Sequence, residues 1–178
     1  MGHASGIRTT ILRPSVIFGR GDRFLNLFAR LARVLPVIPL GSPQARFQPI
    51  HVEDVAEAVV ASLADPRCFD QAYELGGPRT YTLQQLVEYV ARLQGRARPV
   101  LPLGPSLSWL QALALEMLPV KLLTRDNLLS MKVDNVCDGP FPGVFGFAPA
   151  ALEAVVPQYL GTGGPRARYD WFRYRARR

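Results

Sequence analysis

The chain has few of the residues from which disulfide frameworks, zinc sites and membrane spans are built. Only two of its 178 residues are cysteine and two are histidine, and there is no Cys-x-x-Cys motif, so we expect neither disulfides nor a metal site. No run reaches the roughly 18 apolar residues of a membrane-spanning helix, and the N-terminus lacks the basic and then apolar layout of a secretion signal. These absences predict a cytoplasmic protein, with peripheral attachment to the inner face of the membrane left open.

Motifs that hold phosphates or carry catalysis are also missing. None of the fifteen glycines belongs to a Gly-x-Gly-x-x-Gly turn, with which a Rossmann-type site holds a pyrophosphate. Neither lysine follows a glycine, which excludes a P-loop. A Gly-x-Ser-x-Gly elbow for a serine hydrolase is absent as well. The sequence therefore offers no catalytic residue that we can assign.

Acidic residues are scarce at the C-terminus, where the positive charge is concentrated. The net charge is +7, and residues 165–178 (PRARYDWFRYRARR) carry six arginines against one aspartate. Arginine mixed with aromatic residues suits an anionic lipid surface. Phosphate contact and stacking on nucleic acid is the alternative, and an ordinary solvated tail is another. Because most of the net charge belongs to the tail, nucleic acid is the less favoured partner.

The first half of the chain alternates strand and helix patterns. Residues 9–18 are apolar on both faces, which predicts a strand covered on both sides. Helices are predicted in RFLNLFARLARVL, in EDVAEAVVASLAD and after a capping box formed by Thr82 and Gln85. The basic face of the first helix fits a lipid surface or, more simply, solvent. With the extended segments VIPLG, ARFQPIHV and AYELGG between them, these patterns favour a largely parallel α/β sheet.

The second half has a different composition, with frequent prolines after Gly95. Residues 107–118 form an apolar pattern on nearly every side of a helix, which indicates burial inside a small lobe or under a partner. TRDNLLSMKVDNV predicts a further helix, and CDGPFPGVFGFAP predicts a loop. A last helix is expected with Pro149 in its first turn and its end near Leu160.

Three segments together resemble a known family. ILRPSVIFGRGDRF, RFQPIHVEDVAEAVVASL and YELGGPRTYTLQQLVEYVARLQGR are similar, in order and spacing, to the C-terminal half of extended short-chain dehydrogenases/reductases, the NAD-dependent epimerase/dehydratase family. The likeness is strongest to the epimerase-like proteins related to an accessory subunit of respiratory complex I, which share segments like DNVCDGPF. It covers roughly residues 5–160.

The resemblance implies a fold and a division of the chain. The fold is α/β: the C-terminal part of a Rossmann-type parallel sheet, with a small, mostly helical lobe on the substrate side. We expect residues 1–78 to form the strands and helices of the Rossmann-like part, residues 79–160 the small lobe, and residues 161–178 a basic aromatic tail.

The resemblance also implies parts that the sequence does not contain. The family's first half carries the phosphate-binding glycines and a catalytic Tyr-x-x-x-Lys, yet no lysine lies four residues after any tyrosine here. We therefore expect a fragment whose partner is a missing N-terminal half, and which binds NAD or NADP weakly or not at all alone. An incomplete sheet would leave an exposed edge, so self-association is a further expectation.

Family members place the turn after the LRP strand against the nicotinamide end of the cofactor. This implies that Pro14, Ser15 and Val16 contact NAD or NADP. Proline suits such a position because it removes a backbone donor and fixes the chain where a ring approaches. Simple strand termination is the alternative for Pro14.

The substrate-side candidates are Arg46 and His51. In sugar-nucleotide epimerases an arginine that holds the diphosphate lies four positions before the His-Val-x-Asp element, where this chain has Phe47. Arg46 lies one step earlier, and one step along a strand turns a side chain to the opposite face. For His51 a structural hydrogen bond at a strand-helix junction is the alternative, and Asp54 is expected to serve the N-terminus of its helix.

Two functions follow from these observations. The first is a non-catalytic, NAD(P)-binding protein of the complex I accessory-subunit type, which docks on a membrane complex or an anionic membrane surface. The second is part of an active NAD(P)-dependent nucleotide-sugar epimerase, dehydratase or reductase. The displaced arginine, the apolar helix near Trp109 and the basic aromatic tail favour the first.

Overall fold

The computed structural model describes residues 8–104 and 134–161. In these ranges the strands and α-helices are β1 (Ile11–Pro14), β2 (Ile17–Phe18), α1 (Phe24–Val34), β3 (Ile38–Gly41), β4 (Arg46–Phe47), β5 (Ile50–His51), α2 (Val52–Ala64), β6 (Ala72–Leu75), β7 (Tyr81–Thr82), α3 (Leu83–Leu93), β8 (Val100–Leu103), α4 (Leu152–Val155) and α5 (Pro157–Leu160), and single 3-10 turns lie at Pro66–Cys68 and Gly143–Phe145. The helix expected at 107–118, most of the one in TRDNLLSMKVDNV and the tail 165–178 lie outside the described residues. None of the helices described is long and apolar enough to cross a membrane.

The strands pair mostly in parallel. β1 pairs with β6, β2 with β5 and β3 with β8, all parallel, whereas β4 and β7 are antiparallel. The predicted α/β class with parallel strands is confirmed. Strand β8 was not predicted, because Pro99 and Pro102 give that segment the pattern of a loop. Within the described residues β8 pairs with β3 alone, so it is an edge strand. Proline is tolerated in an edge strand because its missing N–H interrupts no hydrogen bonds to a second neighbour.

The first strand differs from its prediction. Residues 9–18 form two short strands, β1 and β2, instead of one. The first of them pairs with β6 and the second pairs with β5. Arg13 and Pro14 are exposed, so β1 is not covered on both sides as its apolar pattern predicted. The described element that β1 contacts extensively is β6. A strand beside β1 satisfies its backbone groups but does not cover the side chains on its faces.

Two hydrophobic clusters hold the elements together. In the larger one α1 and α3 pack face to face around β3, with α4 and α5 at one side. The buried face of α3 is the one that the helical spacing predicts. For α1 the spacing predicts a buried arc that includes Val34, whereas the helix buries Leu25, Phe28, Ala29 and Ala32 and leaves Val34 exposed. The smaller cluster consists of Ile50, Ala58, Cys68, Leu75 and Phe145. The larger cluster takes side chains from both of the ranges 1–78 and 79–160, and the division between these ranges stays a prediction.

The helix ends confirm one expectation and correct another. The Thr82 hydroxyl accepts from the Gln85 N–H at 3.2 Å and the Gln85 amide oxygen accepts from the Thr82 N–H at 2.8 Å, so the capping box of α3 is present. The last helix, expected from Pro149 onward, begins only at Leu152 and is interrupted where Pro157 starts α5. Proline cannot donate to the preceding turn, which explains the break.

Candidate functional site

The carboxyl ends of β1 and β6 lie side by side and define one edge of the fold. Pro14 is in register with Leu75, and the Ser15 N–H donates to the Leu75 carbonyl at 2.9 Å. Beyond these ends come Ser15 and Val16 on one strand and Gly76 and Gly77 on the other. In open parallel sheets ligands bind at the carboxyl ends of the strands. We call this region the carboxyl edge, and it contains all three residues that the sequence assigns to the cofactor.

Ser15 is buried at the carboxyl edge and bonded to Asn135. Its Oγ lies 2.8 Å from the Asn135 carbonyl oxygen and 2.6 Å from Asn135 Oδ1. A hydroxyl has one proton to donate, so both contacts are satisfied when the amide is turned and its nitrogen donates to Oγ. The serine hydroxyl therefore holds the 135 segment in place. Pro14, in contrast, is exposed, and the Val16 carbonyl accepts from the Ile50 N–H at 3.0 Å.

Asn135 and Gln48 join the carboxyl edge to the rest of the fold. The Asn135 N–H donates to the Arg46 carbonyl at 2.8 Å, and its carbonyl accepts from the Gln48 N–H at 3.0 Å. The Gln48 side chain donates to the Gly77 carbonyl at 2.8 Å and accepts from the Cys137 N–H at 2.9 Å. These polar groups bond mainly to one another, so the edge is built as a structural junction.

The glycines at the end of β6 are required by close approach. A Cβ on Gly77 would lie 1.9 Å from the Pro49 carbonyl oxygen, and one on Gly76 would lie 2.6 Å from the Gln48 side chain. The Gly-Gly pair ends the predicted extended segment AYELGG, and neither Gln48 nor Asn135 was predicted to lie at this edge. The available signal was the position of both residues inside segments of family resemblance, RFQP and DNVC.

The two predicted substrate residues have different surroundings. Arg46 is exposed at the start of β4, whereas Phe47 is buried, with its ring centroid 5.4 Å from that of Phe24. His51 is buried where β5 meets α2, with its ring 5.4 Å from the Phe18 ring, and its side chain makes no cap bond. No hydrogen bond or ring contact joins Arg46 to His51 in the described ranges. Their binding roles stay predictions.

Two aspartates tie the C-terminal segment to the earlier elements. Buried Asp54, in the first turn of α2, accepts from the Ala150 N–H at 2.8 Å. Asp22 accepts from the Leu25 N–H at 2.6 Å, at the start of α1, and from the Tyr159 hydroxyl at 3.1 Å. Burial, together with the nearby Asp22 carboxylate, raises the pKa of Tyr159, which therefore stays a neutral donor. Asp22 therefore joins the start of α1 to α5.

Cys137 lies half-buried beside the carboxyl edge, and its surroundings disfavour the thiolate. Burial raises the pKa of the thiol, and the Glu74 and Asp138 carboxylates raise it further. The other cysteine, Cys68, is buried in the smaller cluster. Among the described residues no three potential metal-ligating side chains gather in one place.

We predict that Cys137 reacts more slowly with a thiol reagent than a free thiol does. The raised pKa reduces the thiolate fraction at about pH 8, and burial limits access. The measurement is the rate of modification by a chromogenic disulfide in a Cys68→Ser variant, compared with glutathione at the same pH. Modification in denaturant is the control and should proceed at the free-thiol rate. A native rate equal to that of glutathione contradicts the prediction.

The chain is similar to proteins that are already known. Residues 1–76 match the model of the NAD dependent epimerase/dehydratase family, and this part of the chain is similar to that family. It is 34% identical over 149 residues to NADH dehydrogenase (ubiquinone) 1 alpha subcomplex subunit 9, mitochondrial, of Mus musculus, covering 80% of this chain and 39% of the relative. To the NADH-ubiquinone oxidoreductase 40 kDa subunit, mitochondrial, of Neurospora crassa it is 31% identical over 166 residues, covering 91% of this chain and 43% of the relative. The chain thus spans about two fifths of the length of these relatives.

Solved structures show the same fold at low identity. The NADPH-dependent quinone oxidoreductase of Escherichia coli, complexed with NADPH, gives a TM-score of 0.64 at 18% identity over 86% of this chain and 54% of that one. The UDP-glucose 4-epimerase of Thermotoga maritima, with UDP-glucose, gives 0.59 at 14% identity over 98% of this chain and 49% of that one. These similarities confirm the predicted Rossmann-type α/β class.

Proposed function

We propose that this chain forms the substrate-side part of an NAD(P)-binding protein of the complex I accessory-subunit type, without catalysis of its own. The observation that carries the proposal is the bonding at the carboxyl edge. Ser15, Gln48 and Asn135 bond to one another and to nearby backbone groups, as a structural junction requires. At the position where sugar-nucleotide epimerases have a diphosphate-binding arginine, Phe47 is packed into the larger cluster.

The cofactor in this proposal is NAD or NADP, shared with an N-terminal half that supplies the phosphate-binding turn. Exposed Pro14, at the carboxyl end of β1, offers a surface without an N–H donor where a nicotinamide ring could approach. The backbone hydrogen bonds of β1 are consistent with a further strand, supplied by that other half, beside it. The Ile11 and Ser15 N–H groups face β6, so by strand alternation the Leu12 N–H points the other way. Another strand along β1 would complete the sheet, and an edge left open would favour self-association.

The partner in this proposal is a membrane complex, with the chain held at the membrane periphery. The mitochondrial relatives are subunits named for such a complex, and the tail 165–178 has the composition of an anionic-surface contact. The second candidate function is part of an active nucleotide-sugar epimerase, dehydratase or reductase. The exposure of Arg46 favours it, because that guanidinium can still reach a diphosphate in solvent.

We expect the purified chain to give no measurable heat when it is titrated with NADPH or NADH in a calorimeter. The physical reason is that a dinucleotide gains most of its affinity from a glycine turn and a helix N-terminus at its pyrophosphate, and this chain contains no such turn. If the purified chain alone bound NADPH or NADH with micromolar affinity, cofactor binding would not depend on an N-terminal half, and this part of the proposal would be wrong.

Co-purification tests the partner. A tagged chain, produced in the organism that encodes it, should recover NADH:quinone reductase activity from detergent-solubilised membranes, and a tag alone should recover none. Recovery of a nucleotide-sugar epimerase, dehydratase or reductase activity, with no quinone reductase, would favour the second candidate and contradict the first.

A further inference from the structure

A second basic surface lies on the folded part of the chain, apart from the tail. It occupies the C-terminal end of α1 and the outer face of the β3–β8 pair. Three large apolar side chains project there into solvent: Val34 is 79% exposed, Leu101 54% and Val37 41%. We call it the arginine-valine surface, and its residues are Arg30, Arg33, Val34, Val37, Arg96, Arg98 and Leu101.

Hydrogen bonds bring the arginines of this surface together. The Arg96 guanidinium donates to the Arg33 carbonyl at 2.8 Å, and Arg98 Nε donates to the Ala32 carbonyl at 3.4 Å. Both thereby cap the last carbonyls of α1, where a cation is favoured by the helix dipole. Arg33 Nε donates to the Gln94 side chain at 2.8 Å. Because a guanidinium has five N–H donors, each of these arginines keeps donors for a further partner.

The strand register places the apolar side chains beside them. Leu101 is in register with Pro39, and Val37 lies two residues before Pro39, so all three project to the same side of the β3–β8 pair. That side is opposite to Ile38 and Leu40, which are buried in the larger cluster. Val34 ends α1 three residues before Val37, next to the two capping arginines. Basic and apolar groups therefore share one continuous patch.

No acidic residue offsets the charge within the segments that form this patch. Residues 23–52 and 89–104 contain seven arginines and no aspartate or glutamate. Between described residues the ion pairs are Asp65 with Arg67 and Arg79 with Glu153, and neither belongs to the patch. The surface is thus positively charged as well as apolar.

We propose that the arginine-valine surface docks on an anionic lipid bilayer. Arginines attract anionic headgroups while their stems lie along apolar material, and projecting aliphatic side chains enter the interface between headgroups and acyl chains. Charge complementarity selects an anionic partner. Phosphates of a nucleic acid would contact the arginines alone, and single-stranded bases stack on aromatic side chains, of which this surface has none among its seven residues. The projecting aliphatic side chains therefore favour a bilayer over nucleic acid. The proposal deepens the membrane-periphery part of the proposed function, but its evidence is the exposure and charge of this surface.

The test is sedimentation of the full chain with vesicles of phosphatidylcholine, with and without phosphatidylglycerol, at low and high salt. To separate this surface from the tail, the six tail arginines are replaced by glutamine in one background. In that background we expect residual binding that requires phosphatidylglycerol and weakens with salt. Loss of all binding in that background would overturn the proposal.

Two variants examine the surface itself. The combined Val34→Ser, Val37→Ser and Leu101→Ser change should weaken partition about tenfold, since it removes the aliphatic groups and keeps every charge. Arg30→Gln alone should weaken it about fivefold. All four positions are solvent-exposed, and a circular dichroism melt verifies that each variant folds.

Matched controls come from other exposed positions. The combined Val59→Ser, Val60→Ser and Leu63→Ser change alters exposed residues of α2 with the same chemistry, and Arg13→Gln removes an exposed arginine of β1. Both should sediment like the parent chain. An equal loss in surface and control variants, or no loss in the surface variants, would overturn the proposal. Binding to an acidic polypeptide such as polyglutamate, without binding to phosphatidylglycerol vesicles, would also overturn it, in favour of a protein partner.

Discussion

Replacing Gly77 with alanine is expected to destabilise the chain more than any other single-methyl change at the carboxyl edge. The added Cβ would lie 1.9 Å from the Pro49 carbonyl oxygen and 3.0 Å from its carbonyl carbon. Both are backbone atoms and cannot rotate away, and the Gly77 N–H is bonded to the Gln48 carbonyl at 3.2 Å. Relieving the clash requires the 48–50 and 75–77 segments to separate. We expect a loss of roughly 3 kcal/mol, a large share of the ~5–15 kcal/mol that stabilises a typical domain.

Gly139→Ala is the matched control, because a Cβ at Gly139 meets no atom within 4 Å. Its free energy of unfolding should differ little from that of the parent chain. Urea denaturation followed by circular dichroism gives both values. Equal midpoints for Gly77→Ala and the parent chain would show that the two segments do not approach as closely as described.

Local patterns predicted the elements that depend on local forces. The periodic apolar residues of α3 indicate its buried face, and the reciprocal bonds of Thr82 and Gln85 follow from a spacing of three residues. For α1 the periodic pattern indicated a helix but included Val34, which the structure leaves exposed. The alternation of faces along a strand was also predictive. It predicted that Arg46 and Phe47 project to opposite faces, and Arg46 is exposed whereas Phe47 is buried.

The carboxyl edge could not be predicted in the same way. Ser15 and Asn135 bond across 120 residues of sequence, and Gln48 and Cys137 across 89. No periodicity encodes such pairs, because each depends on how separate elements come together. The exposure of β1 was missed for a related reason. An apolar pattern on both faces of a strand indicates that both faces are suited to burial. Whether they are buried depends on which other elements pack over them.

Gln48 gives the second large effect, because it satisfies two backbone groups from different segments. In Gln48→Ala the Gly77 carbonyl and the Cys137 N–H both lose their partner. An unsatisfied buried polar group costs about 1–3 kcal/mol. Since Gln48 is only half-buried, water can replace part of the lost bonding, and we expect a total loss of roughly 2–4 kcal/mol in the free energy of unfolding. Gln44→Ala, at an exposed position of the same segment, should cost far less.

Gln48→Glu adds a pH dependence whose sign follows from the two bonds. The introduced carboxylate can still accept from the Cys137 N–H, but its second oxygen faces the Gly77 carbonyl oxygen, where the parent amide donated. Repulsion there raises the carboxyl pKa in the folded chain above its unfolded value of about 4.3. The destabilisation is therefore absent below that unfolded pKa, where a protonated carboxyl can donate to Gly77, and it grows as pH rises toward the folded pKa.

Thermal melts at about pH 4.5 and about pH 7.5 measure this difference. Relative to the parent chain, Gln48→Glu should be least stable at the higher pH and should recover most of the loss at the lower one. Gln44→Glu is the matched control, because it adds the same carboxyl at an exposed position and should show no such recovery. If both variants respond to pH alike, the Gln48 amide does not donate to Gly77 in solution, and the carboxyl edge is not held together by that side chain.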